Sequence, residues 1–527
     1  MIDEQITRLV EGPPLDVAII GGGINGCAIA LEGARRGLRV ALFEADDFGF
    51  GTTWRSTKLI HGGLRYLEHG DMRLVFESLR ERAWLLKTRP HLVSPQRFLL
   101  PLLPWTRRPA WQLRAGLTLY DVLSLYRGVP RHRRLSRNKA MARAPFLPIE
   151  TTGAFSFFDA RIHSPERLAL ELTLEARSRG ATVLNHTAVT RIVANGSRVT
   201  AVGFEHRGEP HVVGARTVIN AAGPWVDVVN QLTGEPPPPL LGVTRGSHIV
   251  LDVGDRLPRD AVFSTAKSDG RVFFAVPQDE LLLVGTTDDR FNGDPNLVQP
   301  READVEYLLE EARLLLPGLE PAREEVRYAY AGLRPLPRVR GGPEAAITRR
   351  HEIVDHSATG GPEGLYSVIG GKLSTFRPLA REAIDHVGDG VPVPRSKDER
   401  REQWRWTLSA SGLDLRTRRH LRMYGDAVSQ VIAGGRDEIC AHTGAIRGEI
   451  GYVVKNELVT SLSDVLLRRT GIAWGSCRGL CCHREVAALA GAELGWDHVE
   501  QERQVRQYEA DVDFHLPAVH CGGGERL

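Results

Sequence analysis

The chain has 527 residues, of which 42% are hydrophobic and 25% charged, and its net charge is +3. That length is too great for one compact core and asks for two or three domains, while the near-neutral balance argues against a general nucleic-acid binder. No run of about 18 uninterrupted apolar residues occurs, so no transmembrane helix is expected. Met1 to Pro14 is polar with no secretory apolar core, and six cysteines in this length do not make a disulfide scaffold. A reducing cytoplasm is the natural setting.

The first ordered unit reads strand, turn, helix, strand, acid. Val17-Ala-Ile-Ile20 runs into Gly21-Gly-Gly-Ile-Asn-Gly26. A helix with Ala28, Ala30 and Ala34 then ends near Gly37, and Val40-Ala-Leu-Phe43 leads to Glu44. The first glycine turns the chain, the second admits a pyrophosphate, the third lets helix and strand pack closely, and the helix N-terminus faces the phosphates. Glu44 ends the second strand where a carboxylate can accept ribose hydroxyls. No arginine of the NADP type stands there, which leaves NAD or FAD.

Beyond a loop at Asp46–Gly51 comes Thr52-Thr-Trp-Arg-Ser-Thr-Lys-Leu-Ile-His-Gly-Gly-Leu-Arg-Tyr-Leu-Glu68. These residues suit backbone pressed on a flat ligand, with Gly62 and Gly63 close to it and His61, Arg65 and Tyr66 as polar contacts. They also suit a packed loop with a satisfied histidine. The pattern predicts a helix over Arg73–Lys87. From Phe98, an apolar stretch with Trp105, Trp111 and Tyr120 reaches the basic cluster Arg131-His-Arg-Arg134. It reads either as a surface on anionic lipid or as a core helix with a solvated basic edge.

Ser164-Pro165 marks a helix start, with Leu168, Leu172 and Ala176 on one face and a stop near Gly180. β-rich segments follow at 182–184, 189–193, 199–204 and 212–213, and Thr217–Asn220 reads as a core strand running into Ala-Ala-Gly-Pro. Strands at 248–251, 272–276 and 281–284 predict a mostly antiparallel domain, with a helix from Asp304 to Leu316. Gly370-Gly371 precedes a polar run that opens a helix, a second place for an anion. Arg395–Arg401 is the expected linker. Past it the pattern is helical, most clearly Val454, Leu458, Leu462 and Leu466.

Six separated motifs carry a specific resemblance. Ser56-Thr-Lys-Leu-Ile-His-Gly-Gly-Leu-Arg-Tyr-Leu-Glu68, Asn220-Ala-Ala-Gly-Pro-Trp225 and Gly246-Ser-His-Ile-Val250 are the first three. Gly285-Thr-Thr-Asp288, Ala331-Gly-Leu-Arg-Pro335 and Gly370-Gly-Lys-Leu-Ser-Thr375 complete the set. In type and order they resemble the FAD-dependent glycerol-3-phosphate dehydrogenases, over about Asp16 to Trp474. The resemblance implies an α/β protein, with an FAD-binding Rossmann-like (glutathione-reductase-type) domain, a mostly antiparallel substrate domain and an α-helical C-terminal domain. The expected boundaries give the FAD domain residues 1–90, 150–225 and 325–395, with the substrate domain inserted as 91–149 and 226–324. The helical domain is then 396–527.

The implied activity is oxidation of sn-glycerol 3-phosphate to dihydroxyacetone phosphate, with electrons passed from FAD to a membrane quinone. Arg65, Tyr66, Arg334, Lys372 and Ser374 match the family's substrate pocket, with Ser374 where the family usually has threonine. Arginine forks and a lysine suit a phosphate monoester. FAD contacts are expected at Gly21, Gly23, Ile24, Asn25, Gly26 and Glu44, and along Thr52, Thr53, Ser56, Thr57 and Lys58. His61, Gly62 and Gly63 continue that wall, with Ala222, Gly223, Gly371, Lys372 and Leu373 opposite. His61 and His248 are the candidate bases, and Arg334 suits stabilising a developing alkoxide. An oxygen-using glycerol-3-phosphate oxidase, an amine or amino-acid oxidase of the same fold, and a flavin-carrying scaffold without turnover are the rivals.

The expected location is cytoplasmic, peripheral on the inner face of the membrane through 105–134; a homodimer stays open. Two features depart from the family. Trp54-Arg55 stands where small residues are usual, so Arg55 either meets a phosphate or points outward. Cys477-Arg-Gly-Leu-Cys-Cys-His483, with Cys440 and Cys521, resembles a metal or iron–sulfur site such as some relatives carry in a tail domain. The paired C-x-x-C spacing is absent, and no metal ligands are assigned.

Overall fold

The computed structural model describes residues 2–64, 67, 70–338, 350–387 and 402–519. Arg65, Tyr66, the 395–401 linker and Cys521 lie outside the described residues. A six-stranded sheet holds, in order, Glu352–Asp355, Leu365–Ile369, Val218–Asn220, Val17–Ile20, Val40–Phe43 and Thr182–Leu184. All pairs are parallel except the Glu352–Asp355 edge. Every residue of Val17–Ile20 and Val40–Phe43 is buried, because both faces are covered. Val17, Ile19, Val40 and Leu42 pack with the helix Ile24–Arg35 and with Pro165–Ser178 and Phe376–Asp385. Ala18, Ile20, Ala41 and Phe43 pack on the other side with the three-stranded antiparallel sheet Thr187–Asn195, Arg198–His206 and Glu209–Gly214.

A second, mostly antiparallel sheet contains Thr244–Leu251, Leu281–Gly285, Val272–Gln278, Ala261–Thr265, Val93–Pro101 and Gly153–Ile162 as its central run. Val326–Arg334 adds to Thr244–Leu251. The helix Glu302–Leu315 covers one face of this sheet through Val305, Leu308, Leu309 and Ala312. Two strands that the expected boundaries place with the FAD domain, Gly153–Ile162 and Val326–Arg334, are hydrogen-bonded into this larger sheet. Between Phe98 and Arg134 the chain takes neither expected form throughout. Phe98 to Pro101 finishes a buried strand, and only Ala110–Leu123 is helical, with Leu117 and Tyr120 its buried residues.

The C-terminal part is helical, as expected, and is fastened to the FAD half by buried ion pairs. Arg167 pairs with Glu457, with Nη2 to Oε1 at 2.6 Å, and Arg469 Nη2 meets Asp47 Oδ1 at 2.8 Å. Those pairs break the expected helix through Val454–Leu466. Arg447–Asn456 ends where Glu457 turns inward, Leu458 adopts φ +56°, and its carbonyl accepts from Asn185 at 3.0 Å. A π-helical turn, Asp464–Arg469, resumes beyond the break. Four-residue spacing recorded burial here, not a continuous helix. Among the described residues no helix is long and apolar enough to cross a membrane.

Candidate active site

The carboxyl ends of the parallel strands form a cradle of backbone. Gly21 leaves its strand at φ +104°, a conformation glycine alone adopts readily. Gly22 N–H donates to Glu44 Oε2 at 2.5 Å, and Asp46 N–H donates to Glu44 Oε1 at 2.9 Å. A Cβ on Gly26 would collide with the Gly21 carbonyl, so this residue sets how closely helix and strand approach. Ile24 N–H donates to Thr53 Oγ1 at 2.9 Å, while Gly23, as N-cap, offers no side chain to the first turn. Burial pushes the Glu44 carboxyl up to about 7; ribose hydroxyls donating to it would favour the ionised form.

Three more strand ends meet this cradle. Asn25 Nδ2 donates to the Gly370 carbonyl at 3.4 Å, and Thr52 Oγ1 donates to the Leu333 carbonyl at 2.5 Å. Gly370 N–H donates to the Pro335 carbonyl at 2.9 Å. That bond brings the Gly370–Thr375 loop, with half-buried Lys372 and buried Ser374, beside the end of the Val326–Arg334 strand. Opposite, Asn220 Oδ1 accepts from Ala222 N–H at 3.2 Å, ahead of Gly223.

One face of the larger sheet carries the remaining groups in a row set by strand register. Tyr330 lies opposite His248, His248 opposite Gly285, and Gly285 opposite Phe274. Directly paired residues share a face, so the absent side chain of Gly285 leaves room that the His248 ring occupies. A Cβ there would collide with the His248 ring. Tyr330 stacks on His248 with ring centroids 4.9 Å apart and planes 12° from parallel. Two residues along, Gly246 faces Gly332, and the Arg334 guanidinium lies over Gly246. Asp288 Oδ1 holds Arg334 Nη1 at 3.0 Å, and Thr286 Oγ1 accepts from Nη2 at 3.0 Å.

The Thr52–Lys58 segment crosses this row. Tyr330 Oη donates to the Ser56 carbonyl at 2.8 Å, and Thr57 Oγ1 is 2.9 Å from His248 Nε2. Among the described residues, His248 Nδ1 is buried with no hydrogen-bond partner. Burial, with Arg334 and Lys58 nearby, pulls the imidazole down to about 3, so it is neutral at ordinary pH. His61 is half-buried, its ring 6.4 Å from Phe274.

Several expected residues sit differently. The Lys58 ammonium lies 3.4 Å from the centre of the Trp474 ring, in a cavity of about 260 Å³ against the C-terminal domain, and burial lowers its pKa. Arg55 neither points outward nor ends at the glycine turn: it is buried over Phe50 and Trp54, with Nη2 2.8 Å from His515 Nδ1. Burial and neighbouring Arg468 lower it to about 9. Residue-type reasoning missed Asp288 and Thr286, which fix Arg334, and Tyr330, which stacks on His248. It also missed a support beneath the Gly62 turn. Gly62 N–H donates to Tyr120 Oη at 2.7 Å, and Tyr120 Oη donates to Asp159, which is paired with buried Arg82. Only the Gly285-Thr-Thr-Asp288 motif gave a signal for any of these.

A family model described as FAD dependent oxidoreductase matches residues 16–375, and one described as the C-terminal domain of alpha-glycerophosphate oxidase matches 387–501. A glycerol-3-phosphate dehydrogenase of Synechocystis is 35% identical over 97% of this chain and 99% of its own length. The chain belongs to the FAD-dependent glycerol-3-phosphate dehydrogenase family. Within it, the solved glycerol-3-phosphate dehydrogenase of Bacillus halodurans complexed with FAD superposes with a TM-score of 0.78, at 28% identity over 97% of both chains. A D-erythritol 1-phosphate dehydrogenase of Brucella abortus is 34% identical over 88% of this chain and 95% of its own. The cofactor is FAD, and the glycine cradle with Glu44 at its end fits a dinucleotide.

Proposed function

We propose that this chain oxidises sn-glycerol 3-phosphate to dihydroxyacetone phosphate and passes the electrons to a quinone. The observation that supports it most directly is the convergence of His248, Arg334 and the Lys372 loop beside the FAD cradle. Bound FAD supplies the hydride acceptor. Arg334, held by Asp288 and Thr286, presents a fixed guanidinium to the phosphorylated substrate, and Lys372 supplies a second cation from the facing loop. Arg65 and Tyr66 complete the pocket in this reading, and Ser374 lines it. His248 takes the hydroxyl proton: with Nε2–H donating to Thr57, its buried Nδ1 keeps a lone pair. An imidazole held near 3 is a weak base, but a phosphate monoester carries nearly two negative charges. Burial, the larger cause of the low value, remains when it binds, but its arrival at Arg334 offsets the coulombic part and raises the basicity of His248 to that extent. His61, with its ring 6.4 Å from Phe274, orients the substrate.

Anaerobic mixing tests the reading. Glycerol 3-phosphate is expected to bleach the bound flavin in one turnover, while glycerol and glycine leave it oxidised. Bleaching by glycine and not by the phosphate would assign an amine or amino-acid substrate. Preference for D-erythritol 1-phosphate would move the substrate to a longer phosphorylated polyol. Quinone is expected to reoxidise the flavin faster than oxygen; the reverse order marks an oxidase.

We further propose a peripheral contact with the inner face of the cell membrane, supported by the helix Ala110–Leu123 and the turn after it. Trp111 is 71% exposed, and Val122, Leu125 and Tyr126 are each more than 40% exposed. Exposed Arg114 stands on the helix, exposed Arg127 follows in the turn, and Arg131 lies 4.0 Å from the centre of the Tyr126 ring. Apolar side chains among arginines suit an anionic lipid surface. Co-sedimentation with anionic liposomes is expected to disappear when Arg107, Arg114 and Arg131 are changed to Glu; unchanged binding would refute the contact.

A further inference from the structure

The C-terminal domain gathers thiols that are distant in sequence. Cys440 ends the short strand Glu438–Cys440, and Cys477, Cys481 and Cys482 precede the helix His483–Leu494. Cys440 Sγ lies 3.8 Å from Cys477 Sγ and 3.6 Å from Cys481 Sγ, and Cys481 Sγ lies 3.4 Å from Cys477 Sγ. These spacings are far beyond a disulfide bond of about 2.0 Å, and all of these cysteines are free. A single tetrahedral ion with metal–sulfur bonds of about 2.3 Å sets its thiolates about 3.8 Å apart. The three sulfurs therefore outline one face of such a tetrahedron.

The turns around them are built alike. After Cys440 the chain reverses, with Thr443 and Gly444 N–H donating to the Cys440 carbonyl, and the His442 amide faces the Cys440 sulfur. After Cys477 it reverses again through Arg478 and Gly479, both at positive φ, and the Gly479 amide faces the Cys477 sulfur. Each turn thus brings a backbone amide, two residues on, towards its own sulfur. The second turn is fixed from below, where Tyr508 Oη donates to the Arg478 carbonyl at 2.7 Å.

Two further side chains flank the triangle. A His442 ring nitrogen lies within 4.8 Å of the sulfurs of Cys477 and Cys481, and Cys482 Sγ lies within 4.8 Å of those of Cys440 and Cys481. His442 is solvent-exposed, and its Nδ1 is 3.1 Å from Ser476 Oγ. When Nδ1–H donates to Ser476, Nε2 keeps its lone pair, the usual way an outer hydrogen bond readies a histidine ligand. Cys482 is buried, and its thiol is turned to the Gly479 carbonyl at 3.6 Å.

We propose that Cys440, Cys477 and Cys481, completed by His442, hold one structural Zn²⁺. Binding releases three thiol protons and leaves the imidazole neutral, so the site carries a net charge of −1. An iron–sulfur cluster interposes irons and sulfides and spreads its cysteines wider than this triangle. The ion staples the 440–444 turn to the 474–482 segment. Ala441, His442, Thr443, Trp474 and Ser476 from those pieces line the cavity that also holds the Lys58 ammonium. The zinc site therefore braces a wall that reaches the Lys58 end of the active site.

Elemental analysis of the full-length holoenzyme, purified without chelators or a histidine tag, tests this. One zinc per chain is expected, lost in Cys477→Ser and Cys481→Ser, strongly reduced in His442→Ala, and retained in Cys482→Ala. Replacement by Co²⁺ is expected to give thiolate-to-metal charge-transfer and tetrahedral d–d absorption, a readout independent of turnover and of any variant's folding. A folded parent that binds no zinc after reduction and incubation with Zn²⁺ overturns the site. So does iron accompanied by acid-labile sulfide, and so does retention in His442→Ala with loss in Cys482→Ala.

Discussion

At the ends of the six-stranded sheet the candidate site is built of backbone amides and the spaces left by glycines. On the larger sheet it is built of the side chains of His248 and Arg334, set side by side by strand register, with Thr57 laid against His248 by the segment that crosses them. The first arrangement depends on a few consecutive residues, because a strand, a turn and a helix N-terminus make it locally. The second joins positions 57, 248, 285, 330 and 334, and a one-residue slip of the Thr244–Leu251 strand would send His248 to the opposite face. A cradle of backbone tolerates side-chain change but no added Cβ at Gly21 or Gly26; a row of side chains tolerates neither.

The largest effect is expected where that difference is sharpest. Gly26→Val forces methyl groups against the Gly21 carbonyl, and the purified protein is expected to carry close to no flavin by its visible absorbance. Full FAD content would show that the helix need not approach the strand so closely. Next comes Gly285→Ala, which puts a methyl where the His248 ring lies and forces the ring to move. Flavin content should be unchanged while single-turnover reduction slows by about 100-fold; an unaltered rate would show that the position of the ring does not matter. Arg334→Lys keeps charge but loses the fork held by Asp288 and Thr286. The expected fall in kcat/KM for glycerol 3-phosphate is about 10- to 100-fold, and no change would mean the guanidinium does not meet the substrate.

The smallest effect tests how the FAD half is tied to the helical domain. Burial opposes charge on His186, but pairing with Asp464 at 3.0 Å raises it to about 9. Because the folded pKa exceeds the ordinary 6.5, its stabilisation is full below about 6.5 and is lost as pH rises through about 9. The ring is partly solvated, so the parent Tm should fall by only about 2 °C more than that of Asp464→Asn between those limits. Parallel Tm curves for the two proteins would break that tie.

Legibility in the sequence follows the same division. The run from Val17 to Glu44 was readable because each part of the cradle is a local rule about turns, glycine and helix ends. The site face was readable only through resemblance: nothing local to Arg334 announces Asp288, and nothing near His248 announces Tyr330 or the glycine at 285 over which its ring lies. Val93–Pro101 escaped notice because its apolar run merges with the basic, tryptophan-bearing helix that follows. Leu458 and Leu462 share helical spacing with Val454, yet the buried Arg167–Glu457 pair turns the chain between them. Cys440 stands 37 residues before Cys477, so spacing gave no hint that their sulfurs meet.

The central claim, that buried neutral His248 takes the hydroxyl proton beside Arg334, is tested most directly by anaerobic stopped-flow reduction of the FAD-loaded enzyme by glycerol 3-phosphate. His248→Ala is expected to keep its flavin and lose at least about 100-fold in reduction rate, with His61→Ala losing far less. Reduction at the parent rate in His248→Ala, or a greater loss in His61→Ala, would contradict it.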